Sequence, residues 1–180
     1  MTPRAAVCFL LFAIGFLWDR PARADSVTLT QTLSARLLPA AKLAVPATVQ
    51  LLASGAAFQP FSGTLTVSYR VRTSRAGTGA ITLQVTSDFS PAGGPSAAAG
   101  SLTYACDPAT LGTSCQDGQT AATALQSPVL SLPPAACTGG GGPCSTADPG
   151  SIRLNFKLDN TSAAATGTYA AQITFLISAI

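Results

Sequence analysis

Over the last thirty residues of the chain, apolar side chains fall on every second position. Ile152, Leu154, Phe156 and Leu158 alternate with Arg153, Asn155 and Lys157. After a polar, alanine-rich break from Asp159 to Thr168, Tyr169, Ala171, Ile173, Phe175 and Ile177 alternate with Gln172, Thr174 and Ser178. A period of two is the repeat of a strand, so each run has one apolar face and one polar face. The two runs predict an antiparallel hairpin with one dry side and one wet side. The rest of the chain has to supply strands that cover the dry side.

Similar patterns recur upstream. Ser26 to Leu33 sets Val27, Leu29 and Leu33 against Thr28, Thr30 and Thr32, and predicts a first strand. Leu43 to Leu52 predicts a second, demoted at Pro46 because proline cannot donate to a ladder. From Gly63 to Thr73, Leu65, Val67, Tyr69 and Val71 point one way; Thr64, Thr66, Ser68, Arg70 and Arg72 point the other. Ile81, Leu83 and Val85 begin a returning strand after a Gly-bearing turn, so Gly63 to Val85 predicts a hairpin. Leu102, Tyr104 and Cys106 mark a short strand, and one more is expected between Ala121 and Leu132. The glycines and prolines of Phe89 to Gly100 mark a loop. Seven or eight short strands separated by turns predict an all-β, immunoglobulin-like antiparallel sandwich, with a barrel as the alternative.

The first 24 residues belong to a different kind of segment. Arg4 is followed by an apolar run from Ala5 to Trp18 and then by Ala22-Arg23-Ala24, a small-x-small cleavage signal. This predicts a signal peptide over 1–24 and a single exported domain over 25–180. The run is short for a bilayer, which takes roughly 20 apolar residues, so no stable membrane span is expected after cleavage. The whole chain has ten basic and seven acidic residues, a net charge of +3. Arg4, Arg20, Arg23 and Asp19 leave with the signal, and the remaining seven basic and six acidic residues give a net charge of +1. That balance argues against nucleic acid as a partner, since phosphate binding needs a strong positive footprint.

Four cysteines remain: Cys106, Cys115, Cys137 and Cys144. An even number in an exported chain predicts disulfides with three pairings, of which Cys106–Cys115 and Cys137–Cys144 close the shortest loops. The spacings lack the Cys-x-x-Cys pairs of a zinc site, so no metal is expected. The chain has no His and no Glu, and its Asp residues sit at turn positions such as Asp107-Pro108 and Asp117-Gly118. Nothing points to acid–base catalysis, an enzyme or a cofactor. Two sets of residues are candidates for ligand contact. Phe58 and Phe61 flank Pro60 in a loop, and Arg70 and Arg72 form a basic stripe suited to an acidic glycan or surface polymer.

The closing stretch Gly167-Thr-Tyr-Ala-Ala-Gln-Ile-Thr-Phe-Leu-Ile-Ser-Ala-Ile resembles the last strand of bacterial pilin and fimbrial-adhesin domains, where a Gly opens a strand of alternating apolar residues. Ala179 stands where chaperone–usher pilins usually carry Tyr, and the cysteines lie later in the chain than theirs. The resemblance therefore implies a bacterial surface sandwich more than that particular assembly route. It further implies a structural or adhesive role in the periplasm, at the cell surface or outside the cell, with other envelope proteins or the chain itself as partners. Val27, Leu29 and Leu33 would then be strand donors to a neighbour's sheet. The competing expectations are a glycan- or polymer-binding module using the loops Ala56 to Phe61 and Cys137 to Cys144, and a secreted enzyme or inhibitor.

Overall fold

The computed structural model describes residues 31–53, 55, 57–74, 77–134 and 149–180. Residues 36–180 form one compact unit and residues 1–35 another. Of the second unit only 31–35 are described; they form no strand, and Leu33 is 94% exposed. The strand expected over Ser26 to Leu33 is therefore absent from its described end, and Val27 and Leu29 lie outside the described residues.

The compact unit is an all-β sandwich of two antiparallel sheets. Ten strands are described: β1 (Ala40–Ala44), β2 (Leu52–Ala53), β3 (Phe61–Arg72), β4 (Gly79–Ser90), β5 (Leu102–Cys106), β6 (Thr113–Ser114), β7 (Gln119–Thr120), β8 (Ser127–Leu132), β9 (Gly150–Leu158) and β10 (Ala170–Ala179). The first sheet runs β1-β3-β9-β5-β7, with β2 also on β3; the second runs β10-β4-β8-β6. β9 pairs with β3 along its whole length, placing Leu65 opposite Leu154 and Val67 opposite Ile152. These residues meet Ile81, Leu83 and Val85 of β4 and Val129 of β8 in one core, each no more than 5% exposed. Burying each such side chain contributes about 1.5–3 kcal/mol, which makes this interior the main source of stability.

Both expected hairpins are corrected. β3 and β4 lie in different sheets, and so do β9 and β10. The connections at 73–78 and 159–169 cross from one sheet to the other. Alternation says which side chains face the core but is silent on which strand lies alongside, and a crossing strand buries the same row as a returning one. Leu43 to Leu52 is corrected as well: β1 ends at Ala44, and the chain does not rejoin β3 until Leu52.

One lateral seam of the sandwich is tied twice. Cys106, at the end of β5, is bonded to Cys115, whose amide donates to the Val129 carbonyl of β8. This is the expected Cys106–Cys115 pair, and it joins the two sheets; Cys137 and Cys144 lie outside the described residues. Close by, the Tyr104 hydroxyl donates to the Pro128 carbonyl at 2.7 Å, again from one sheet to the other. The Tyr104 ring sits opposite Phe156 with centroids 5.9 Å apart. Tyr69 donates similarly from β3 to the Leu111 carbonyl, and Gly150 opposite it leaves room for the ring, since a Cβ there would lie 2.6 Å from a ring carbon.

Two outcomes follow. Replacing Cys106 and Cys115 by Ser reopens a loop of sequence separation 9 and should cost about 2–3 kcal/mol, read as a lower urea midpoint. Burial pushes the Tyr104 phenol up to about 12, against the opposing effect of a Ser127 hydrogen bond. A raised pKa means that the hydroxyl's contribution is complete below the unfolded value near 10 and is lost as pH climbs through about 12. Tyr104→Phe should therefore lower stability at neutral pH by about 1–2 kcal/mol and flatten its alkaline decline in denaturant titrations between those pH values.

Candidate functional site

The opposite seam is built differently. β1 and β2 pair with the same edge of β3: Ala44 faces Ser68, and Leu52 faces Ser62. Between them, residues 45–51 have no register partner and swing off the sheet. Pro46 begins this detour, where a missing N–H would interrupt any ladder. The detour then passes close over the inner side of β3. A Cβ on Gly63 would lie 2.5 Å from the Gln50 carbonyl oxygen and 2.8 Å from the Leu51 side chain, so glycine alone permits this approach.

Across the seam stands β10, which among the described strands pairs with β4 alone, so that no described strand lies on its other edge. Its inward row, Ala171, Ile173, Phe175, Ile177 and Ala179, is half-buried throughout, whereas the inward row of β9 is buried end to end and that of β4 from Gly79 to Val85. β1 lies against β10 but stops at Ala44, and beyond that point the two sheets part. The result is an open apolar groove of about 990 Å³. Val49 and Leu51 of the detour form one wall, and Ile173 and Phe175 of β10 the other; Phe61 and Phe156 lie at its base.

Loops fix the end of the groove. The Asp88 carboxylate accepts from the backbone amides of Phe89, Ala97 and Ala98 and from the Ser96 hydroxyl, shaping the 91–100 loop. Partial burial raises the Asp88 pKa, but these four donors outweigh it and hold the carboxyl below its usual value. The Ala165 amide donates to the Gly93 carbonyl, and the Tyr169 hydroxyl donates to the Ala165 carbonyl, which locks the 159–168 loop against the first. Phe58 sits on the rim, 64% exposed, with a φ of 60°. That left-handed conformation costs a bulky residue roughly 1–2 kcal/mol and here holds an apolar ring toward solvent.

Of the residues singled out from sequence, the structure brings Phe58 and Phe61 together at this groove. Arg70 and Arg72 are elsewhere, on the outer face of the first sheet; Arg72 Nε donates to the Leu38 carbonyl at 3.0 Å. Ile173 and Phe175, expected in the core, are half-buried: they pack against it and also line a groove wall, while Val49 and Leu51 were not expected to matter. The break at Pro46 was the available signal for them. No group of three or more His, Cys, Asp or Glu residues is placed to hold a metal ion among the described residues. Among those residues, too, no helix is long and apolar enough to cross a membrane. No family model matches the sequence, and a search of curated proteins finds no significant match.

Gly63→Val tests how the groove is made. The new side chain meets backbone at Gln50, so the detour must move. The expected result is faster amide exchange over 45–51 and a loss of about 1–3 kcal/mol, with exchange across β4 and β8 unchanged.

Proposed function

We propose that this chain is an exported, non-enzymatic surface or envelope protein, structural or adhesive and pilin-like in style, which acts by β-strand contacts between proteins. The observation that carries this reading is an edge of β10 that no described strand covers, beside an apolar groove. Edge strands usually carry Lys, Pro or inward charges that discourage pairing. β10, with the sequence AAQITFLISA, carries none of these. Its first residues are bulged against β4, but from Ile173 to Ala179 the register is continuous. An extended peptide laid along this edge would gain main-chain hydrogen bonds from β10 and cover Ile173 and Phe175 with its own alternate side chains. Filling such a groove returns about 25 cal/mol for each Å² of apolar surface covered.

The occupant suited to it is a segment of alternating apolar residues, and this chain has one at Ser26 to Leu33. Val27, Leu29 and Leu33 share one face of an extended strand. In a second copy of the chain they would serve as the donor, so that each subunit completes its neighbour. The disulfide between the sheets fits an oxidising compartment, as the signal-like first 24 residues do.

A complementation experiment tests this. The chain from Asp25 onward should form ladders or fibres. Deleting 26–33 should leave a monomer with an empty groove, and Ile173→Asp should leave a monomer with a free donor. Mixed together, those two variants should form a one-to-one complex and nothing longer, seen by size exclusion with light scattering. A chain that stays monomeric with 26–33 intact, or variants that keep their own assemblies, would overturn the reading. Circular dichroism guards against misfolding of Ile173→Asp.

A further inference from the structure

Charge is distributed unequally between the two outer faces of the sandwich. The chain from Asp25 onward has seven basic residues, and five of them, Lys42, Arg70, Arg72, Arg153 and Lys157, point outward from the β1-β3-β9 sheet. The described strands of the other sheet carry no basic residue and one acidic residue, Asp88 near the end of β4; on the outer face β4 offers Ala80, Thr82, Gln84 and Thr86, and β10 offers Gln172, Thr174, Leu176 and Ser178.

The register arranges the five cations in a band running obliquely over the three adjacent strands β1, β3 and β9. Lys42 lies directly opposite Arg70, Arg153 opposite Thr66, and Lys157 opposite Ser62. At about 3.4 Å per residue, Arg70, Arg153 and Lys157 are spaced roughly 14 Å apart along the strands, and the track from Arg72 to Lys157 is roughly 34 Å long. Little acid offsets it. Asp107 approaches Arg153 at 3.8 Å, with both side chains well exposed, and also accepts from the Asn155 amide at 2.7 Å. Asp159 follows the track's far end. Lys42 and Arg70, a like-charged cross-strand pair, have no ion-pair partner among the described residues. Such a pair destabilises a sheet by itself, and an external anion relieves it.

The space between the cations is filled by Ser68, Thr66, Thr64, Ser62 and Asn155, all small hydroxyl or amide groups. Among the described residues no aromatic side chain of these strands points outward, so bases find nothing to stack on. The charges are also too sparse to match phosphates repeating about every 3.4 Å along a strand. We propose that this face is a docking track for an acidic polysaccharide bearing carboxylate or sulfate groups. The polymer would lie extended along β3 and β9, with its anions at the Lys42–Arg70–Arg72 cluster, Arg153 and Lys157, and its hydroxyls on the intervening Ser, Thr and Asn. The track is on the opposite side of the first sheet from the groove base, so it does not depend on the strand-contact reading.

The test uses the chain from Asp25 onward with four probes: polygalacturonate, dextran sulfate, neutral dextran and single-stranded DNA, followed by fluorescence anisotropy over a salt series. The expected result is binding to both acidic polysaccharides, weakening with salt, and no binding to neutral dextran. Preference between the two acidic probes identifies carboxylate or sulfate as the favoured group. Lys42→Gln, Arg70→Gln, Arg153→Gln and Lys157→Gln combined should weaken binding by about tenfold or more and flatten its salt dependence, while Arg36→Gln leaves both unchanged. The four positions are exposed, so the variant should keep its strand-mediated assembly, which separates the two proposals. Equal binding by the fourfold variant, equal binding of neutral dextran, or tighter binding of DNA than of either polysaccharide would overturn the track.

Discussion

The Tyr104 hydroxyl and the Cys106–Cys115 bond tie the two sheets strand to strand at one seam of this sandwich, whereas the ties described at the other lie at its end, where Ser74 donates to the Ile180 carbonyl. The first two run from the β5 side of the first sheet to the β8 side of the second. Two sheets packed face to face are held mainly by their shared apolar interior, which is non-directional and allows the layers to splay at an edge. A phenol bonded to a carbonyl of the facing sheet and a covalent bridge remove that freedom locally. With β5 and β8 pinned, the inward rows of β3, β4 and β9 close on one another to near-complete burial. Any residual mismatch between six strands and four then accumulates at the far seam, between β1 and β10.

That mismatch explains why β10 behaves unlike its neighbours. Its alternation is as regular as that of β9, yet its inward side chains remain half-buried. The cause is not in β10 itself. It lies some 120 residues earlier, where Pro46 ends the pairing of β1 and residues 45–51 leave the sheet edge that would otherwise extend over Ile173 and Phe175. Gly63 lets the detour fold inward and wall the groove, so that it does not drift into solvent. An exposed apolar edge is ordinarily a hazard for aggregation. A chain that keeps one uncharged, next to a groove bounded by hydrogen-bonded loops, carries the features that the proposed strand addition would use.

Much of this could be read from residue order. Leu65, Val67, Tyr69 and Val71 face the core as their period requires, and so do Ile152, Leu154 and Phe156. Cys106 and Cys115 were legible because a short loop between two flanking strands brings their Cα atoms to 5.5 Å. Strand neighbours were not legible. β9 and β10 look like a hairpin because each has one dry face, but facing sheets need that same feature, and the connection at 159–169 is long enough to cross between layers. Nor was the fate of Phe175 legible: Phe156 and Phe175 occupy identical patterns, and only the path of a distant segment decides that one is buried and the other left at a groove wall. Short ladders such as β6 and β7 carry too few residues for any period to show.

The same layering keeps the two proposed surfaces apart. On β3, Leu65 and Phe61 face the groove side, while Arg70, Thr66 and Ser62 face outward, and a single strand cannot turn one row without turning the other. A one-residue slip of β3 against β9 would move the cations into the interior and Leu65 and Val67 into water, a cost no docked polymer could offset. The register that buries the core is thus also what aligns Lys42 with Arg70, and Arg153 and Lys157 beyond them. If subunits join through β10, each addition would bring another cationic track without covering the previous one. Polymer affinity would then grow with the number of linked tracks by effective concentration, even though each track binds weakly by itself.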